Sequence, residues 1–139
     1  GGLSIANGFQ TTQMDLWIGD QLSSITITNA LVVLLLVISS VNFITEMSSN
    51  MATTAMLLPI MIPLSEVIGV HPYLLLVSTT LAASCAFMLP VATPPNAVVF
   101  GSKLLTIRDM VKAGFLINVI SIIIILIVVN YGLPLFWNL

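Results

Sequence analysis

Thr45-Glu46-Met47-Ser48-Ser49-Asn50 interrupts a stretch that is otherwise dominated by apolar residues from Ile25 to Leu64. Ahead of it stands Leu31-Val32-Val33-Leu34-Leu35-Leu36-Val37-Ile38, and beyond it the chain turns apolar again from Met51 until Ser65-Glu66 and Gly69. A second interruption, Ala92-Thr93-Pro94-Pro95-Asn96, separates the apolar run Tyr73 to Val91 from a brief resumption at Ala97 to Gly101. These two gaps decide how the rest is read.

The composition around them places the chain in a bilayer. Of its 139 residues, 58% are hydrophobic and 6% charged, against about 45–50% and about 25% in a soluble domain. Residues 21–45, 67–102 and 113–139 contain no Asp, Glu, Lys or Arg, and about 20 mostly apolar residues suffice to span the hydrocarbon core. The expected fold is therefore all-α and integral to the membrane. Residues 1–24 read as the end of a preceding helix and an interfacial connector, and 25–68 as a helical hairpin with its tip at 46–51. Residues 72–102 read as a discontinuous transmembrane helix broken at 92–96, 103–112 as an amphipathic connector, and 113–133 as a final span. Opening on Gly1 with no initiator Met and no basic leader, the chain reads as an internal stretch of a longer polypeptide.

Several functions are excluded by what is scarce. Three basic residues cannot follow a phosphate backbone, so nucleic acid is not a partner. One histidine, His71, and one cysteine, Cys85, cannot assemble a zinc, haem or iron–sulfur site or an internal disulfide. No nucleophile–base pair is present, so an enzyme is not expected, nor is an organic cofactor. Lys103, Arg108 and Lys112 all fall within 103–112, and the positive-inside rule puts that connector in the cytoplasm and the C-terminus outside.

The hairpin has two readings. Its second arm, Met51 to Leu64, holds about 14 residues or roughly 21 Å of helix, short of a core about 30 Å thick. That favours a re-entrant hairpin whose tip lies inside the membrane; the alternative is two complete spans with the tip at the opposite surface. Pro59 and Pro63 remove two backbone donors, which favours an irregular or tilted second arm.

Interrupted helices survive at membrane depth only where their freed backbone groups are buried in protein or line a wet cavity. Ser48, Ser49 and Asn50 suit the N-cap of a helix starting near Met51, and the positive end of that helix favours a carboxylate without Lys or Arg. Carbonyls closing the first arm near Thr45–Met47, and those freed at Ala92–Thr93, suit sodium. Paired interruptions of this kind point to secondary transport. Glu46 would repel an anion it faced, so it is expected to brace the hairpin by accepting from backbone donors. Thr79, Thr80, Ser84 and Asn118 are expected to hydrogen-bond between helices.

Thr45-Glu46-Met47-Ser48-Ser49-Asn50-Met51-Ala52-Thr53-Thr54 resembles the second Ser-Asn-Thr hairpin motif of the divalent-anion/sodium symporter family, carriers of dicarboxylates, citrate or sulfate. Residues 82–97, Ala-Ala-Ser-Cys-Ala-Phe-Met-Leu-Pro-Val-Ala-Thr-Pro-Pro-Asn-Ala, are similar to that family's signature. Ile107 to Gly114 resembles the connector before its last span. The resemblance implies the C-terminal half of an inverted-repeat secondary transporter, with a re-entrant hairpin and a broken transmembrane helix. It implies sodium-coupled alternating access for a small anion, a first repeat supplying the rest of the site, and a homodimer. Ser49 and Asn50 would hold a substrate carboxylate, with Pro94 lining the site. Thr45, Ser48, Asn50 and the Ala92 backbone would surround sodium. Met51 stands where the family most often has Thr, which removes a hydroxyl from the substrate site and implies a larger or less polar acid. Proton-coupled or exchange transport on the same architecture, and a scaffold that transports nothing, are the competing readings.

Overall fold

In the computed structural model, residues 29–137 are described, together with positions 4, 7, 8, 11–14, 17 and 20. The connector expected over 1–24 and the first residues of the hairpin therefore lie largely outside the described residues. From Ala30 onward the regular structure is entirely helical: α1 (Ala30–Thr45), α2 (Asn50–Ile68), α3 (Pro72–Ser84), α4 (Pro94–Gly101), α5 (Ile107–Ile127), a π-helical turn Val128–Gly132, and α6 (Leu133–Trp137).

The helix ends follow local chemistry. Asn29 caps α1 by accepting from the Leu31 N–H at 3.1 Å. Gly69, at φ 68°, ends α2 in the left-handed conformation that a residue without Cβ adopts at little cost. His71 opens α3 by accepting from the Tyr73 N–H, with Pro72 in the first turn, where its missing donor is not needed. Thr106 and Asp109 cap α5 reciprocally, side chain to backbone in both directions.

Two boundaries differ from the sequence reading. The second arm does not stop at Leu64 but continues as α2 through Pro59 and Pro63 to Ile68, 19 residues or about 28 Å. Its face against α3 keeps it helical where proline alone would favour a bend, so the shortness that favoured re-entrance disappears. The final helix begins at Ile107 instead of Ala113, because the Thr106–Asp109 box nucleates it within the stretch expected as a connector. Its helical path runs on to Leu135, and α2 and this path are each long and apolar enough to cross a membrane. The π turn near its end is closed by Leu133 N–H reaching back to the Val128 carbonyl. Pro134 follows directly, and its ring would clash with the carbonyl four residues earlier in a regular helix.

At the centre, α3 packs against α1, α2 and α5. Leu34, Ile38 and Val41 of α1, Met61 of α2, Leu75, Ala82 and Ala83 of α3, Ile122 and Ile125 of α5, and Val129 of the π-helical turn form one buried cluster. Ser78, Thr79, Ala82 and Ala83 are all fully buried, and small side chains of this kind let helix backbones approach closely. The interhelical hydrogen bonds expected of α3 are not made: Thr80 and Ser84 bond back to the carbonyls of Leu76 and Thr80 in their own helix, and the Thr79 hydroxyl has no partner. A hydroxyl can reach the carbonyl of the preceding turn and is satisfied there, as Thr80 and Ser84 are; of the four residues, Asn118, with its longer amide, is the one that reaches another element.

The tightest approach is at Gly114 of α5. A Cβ there would lie 2.6 Å from Met88 Cα and closer still to the Phe87 carbonyl oxygen. Both are backbone atoms, which cannot swing aside as a side-chain end can. Gly114→Ala is expected to destabilise the protein by about 2 kcal/mol or more through overpacking, whereas Gly101→Ala, with open space around it, leaves the melting temperature in detergent unchanged or slightly higher. Equal melting temperatures for the two variants would show that α5 does not touch the backbone at Phe87–Met88.

Candidate functional site

The interruption of the 72–102 segment begins earlier than its prolines. Helix α3 ends at Ser84, residues 85–93 are non-helical, and α4 starts at Pro94. The break expected at 92–96 thus sits at 85–93, and Pro94-Pro95-Asn96 form the first turn of the next helix. Prolines favour a first turn and disfavour the α region in the residue before them, so Thr93 is extended at φ −143° and acts as the cap, accepting from the Asn96 N–H at 3.5 Å. Pro90, inside this stretch, has no donor of its own, crowds the Ala86 carbonyl and disfavours the α region at Leu89. The donors of the residues just before it are taken up by a tertiary contact.

That contact is Glu46, buried to 3% exposure at the end of α1. Its Oε1 accepts from the N–H groups of Phe87 at 2.7 Å and Met88 at 3.0 Å, and its Oε2 from Met88 at 3.1 Å and Leu89 at 3.0 Å. Asn118 Nδ2 adds a bond to Oε1 at 2.7 Å. Three successive backbone donors that would otherwise seek helical carbonyls are gathered onto one carboxylate. The bracing role expected for Glu46 is present, though what it braces is the 85–93 loop and not the hairpin itself.

Other side chains hold the loop's carbonyls. Asn42, one turn before Glu46 on α1, donates to the Cys85 carbonyl at 2.6 Å, and Asn96 donates to those of Ala86 and Leu89 at 3.0 and 3.1 Å. Neither asparagine was singled out from the sequence. Both were legible as amides in apolar surroundings, where an unpaired polar group is costly. Cys85 is half-buried.

With the loop held in this way, its end faces the hairpin tip. Met47, Ser48, Ser49, Asn50, Met51, Val91, Ala92, Thr93 and Pro94 together line one open cleft of about 420 Å³, a volume in the range of small-molecule sites. Ser49, Asn50, Met51 and Pro94, read as substrate residues, and Ser48, Asn50 and Ala92, read as sodium residues, therefore border the same space. Thr45 lies just beneath it, fully buried. Its Oγ1 is 2.6 Å from Asn50 Oδ1 and 2.9 Å from the Ala83 carbonyl oxygen. One hydroxyl proton cannot serve both contacts; a cation against the open oxygen, or an Asn50 amide turned to offer Nδ2, resolves the shortage. Ser48 is engaged elsewhere, bonding the Ile44 carbonyl and the Thr53 hydroxyl.

The cleft carries no fixed cation. Its electropositive element is the start of α2, where Ser49 is the N-cap but makes no side-chain capping bond. The first-turn N–H groups and the exposed Ser49 hydroxyl are thereby open to a ligand. Helix α4 differs, because Pro94 and Pro95 remove two of its first-turn donors. Met47 and Met51, each 82% exposed, and Val91, 78% exposed, add an apolar rim. Among the described residues, no three His, Cys, Asp or Glu side chains are grouped to hold a metal, and the residues lining the cleft carry neutral oxygens only.

Comparison with known proteins gives one family. A family model described as the sodium:sulfate symporter transmembrane region matches residues 1–138. The sodium-dependent dicarboxylate transporter SdcS of Staphylococcus saprophyticus is 45% identical over 134 residues, covering 96% of this chain and 26% of the relative. The protein of the same name from Staphylococcus aureus is 44% identical over 135 residues, 97% of this chain and again 26% of the relative. The chain thus spans about a quarter of the length of the curated relatives it matches.

Removing the brace tests how the loop is built. Glu46→Ala leaves the partly buried Phe87, Met88 and Leu89 N–H groups without their partner, and the expected loss is about 3 kcal/mol or more. Asn96→Ala, which frees two carbonyls that each keep a second lone pair, is expected to cost about 1 kcal/mol. Thermal unfolding in detergent would separate the two; a Glu46→Ala effect no larger than that of Asn96→Ala would deny the carboxylate its structural role.

Proposed function

Because the chain belongs to the sodium:sulfate symporter transmembrane-region family, we propose that it forms part of a sodium-coupled carrier for a di- or tricarboxylate or sulfate, and that the tip–loop cleft is its substrate and sodium site. Membership makes it an integral membrane protein, and its relatives are transporters and not enzymes. The observation that carries the proposal is the convergence of the uncapped α2 N-terminus with the 91–94 backbone around one cleft.

In this reading Ser49, Asn50 and the first-turn N–H groups of α2 receive a carboxylate, and Pro94 closes the far wall. Thr45 Oγ1, Asn50 Oδ1 and the Ala92 carbonyl receive sodium, which suits a hard cation that takes oxygen ligands. Ser48 supports the turn through Ile44 and Thr53 and is a weaker candidate ligand. A dianion entering a site without Lys or Arg meets a large desolvation cost, and a sodium ion bound alongside offsets it. Joint binding is then the physical basis of coupling. Met51, with Met47 and Val91, contacts the carbon skeleton of the substrate.

The proposal includes a re-entrant hairpin and a broken span. Helix α3, 13 residues, and α4, 8 residues, correspond to about 20 Å and about 12 Å, so a tip level with the loop between them sits away from both surfaces. This supports re-entrance where the length of α2 does not. Alternating access carries the site across, with the 103–112 segment cytoplasmic, a preceding repeat completing the cleft, and a homodimer as the working unit. The length of the relatives beyond the matched quarter leaves room for that repeat.

Asn50→Ala is expected to abolish sodium-dependent uptake in proteoliposomes while the protein melts as a folded species; uptake equal to the unaltered protein would remove Asn50 from the mechanism. Replacing the sodium gradient with choline or with a proton gradient distinguishes symport from proton-driven or exchange transport. Met51→Thr is expected to change the order in which succinate, malate and citrate compete, and an unaltered order would make that position irrelevant to selectivity.

A further inference from the structure

Asn118 is a polar residue on an apolar helix, fully buried, at no position that borders the cleft. Its side chain makes one bond, Nδ2 to Glu46 Oε1, and its Oδ1 has no partner. A leucine or alanine would satisfy helix packing without leaving an amide oxygen stranded. The carboxylate fixes which way the amide faces, because its oxygen would be repelled there. One turn earlier, Gly114 brings the same helix against the Phe87–Met88 backbone. Helix α5 therefore grips the loop at two points: directly at Gly114, and through Glu46 at Asn118.

Glu46 is the residue after Thr45, and the loop it holds leads through Leu89 to Ala92. The oxygens assigned to sodium thus sit at the two ends of what Glu46 ties together. We propose that Asn118 is a positioning residue for sodium: by holding Glu46 Oε1 it sets the spacing between Thr45 and the Ala92 backbone, without touching either ion or substrate. The inference rests on the reading of the cleft as the sodium site. Outer partners that orient the ligands of a metal alter its affinity about 10–100-fold when removed. Cation affinity depends on ligand spacing, whereas turnover at saturating sodium depends on the motion that carries the site.

The test uses the complete protein in proteoliposomes, with uptake normalised to inserted protein. Asn118→Ala is expected to raise the half-saturating sodium concentration about tenfold while the maximal rate changes by less than about twofold. Asn118→Asp keeps the shape but replaces the amide donor with an acceptor against Glu46, and it is expected to raise the half-saturating sodium concentration at least as far as Asn118→Ala does. Unchanged sodium dependence in both variants, or a loss of maximal rate alone, overturns the proposal. So does failure of both to insert and fold, which assigns Asn118 to stability only. Asn50→Ala, run alongside, separates the causes: if it leaves uptake intact, the cleft reading fails; if it abolishes uptake while the Asn118 variants show normal sodium dependence, this inference alone fails.

Discussion

A carboxylate buried in an apolar chain must be answered by donors, and here it is answered by the backbone. Glu46 gathers the Phe87, Met88 and Leu89 N–H groups and the Asn118 amide. The same set of bonds does two things that oppose each other energetically. It holds residues just past the end of α3 at Ser84 out of the helix, forfeiting helical hydrogen bonds. It also supplies partners for the donors so released, and compensates a charge for which no salt bridge would be needed. Neither half is stable without the other.

The cleft follows from that exchange. Once residues 85–93 leave the helix, Asn42 and Asn96 collect their carbonyls at Cys85, Ala86 and Leu89, and the stretch from Val91 to Pro94 is carried to the hairpin tip. At the tip the chemistry is left open where elsewhere it is closed. Ser49 caps α2 by position but not by hydrogen bond, while Thr93 and Thr106 cap their helices with side-chain bonds. Thr45, Asn50 and Ala83 crowd three oxygens around one proton. Open donors at one side of a small space and crowded oxygens at the other are the features on which the proposed joint binding of an anion and a cation rests.

The three asparagines and the glycine that serve this arrangement act at different ranges. Asn42 and Asn96 hold the loop locally. Asn118 and Gly114 join that arrangement to α5, a helix whose path is long and apolar enough to cross a membrane. The tip, the loop and the last helix are thereby linked through polar contacts and one close backbone approach, while the flanks of α1 and α5 stay smooth and apolar. Leu36, Leu116, Ile120 and Ile124 are among the side chains left exposed there, as suits faces that meet lipid or neighbouring protein.

The amino-acid sequence by itself determined the class of this protein: uncharged apolar tracts can be satisfied only as helices in a bilayer, and Thr45–Asn50 and Ala92–Asn96 marked where those helices yield. It also carried the family, since the motif residues are read one by one. Helix boundaries were less legible: Pro94 and Pro95 drew the expected break to 92–96, whereas the non-helical stretch begins at Cys85, five residues before Pro90 and further back than that proline alone requires. Only the tertiary structure decided that, through a carboxylate 41 to 43 residues distant in the chain. Likewise α2 runs through two prolines because packing on α3 outweighs their local preference. Local propensity is written in adjacent residues; the partner that overrides it is brought near only by folding.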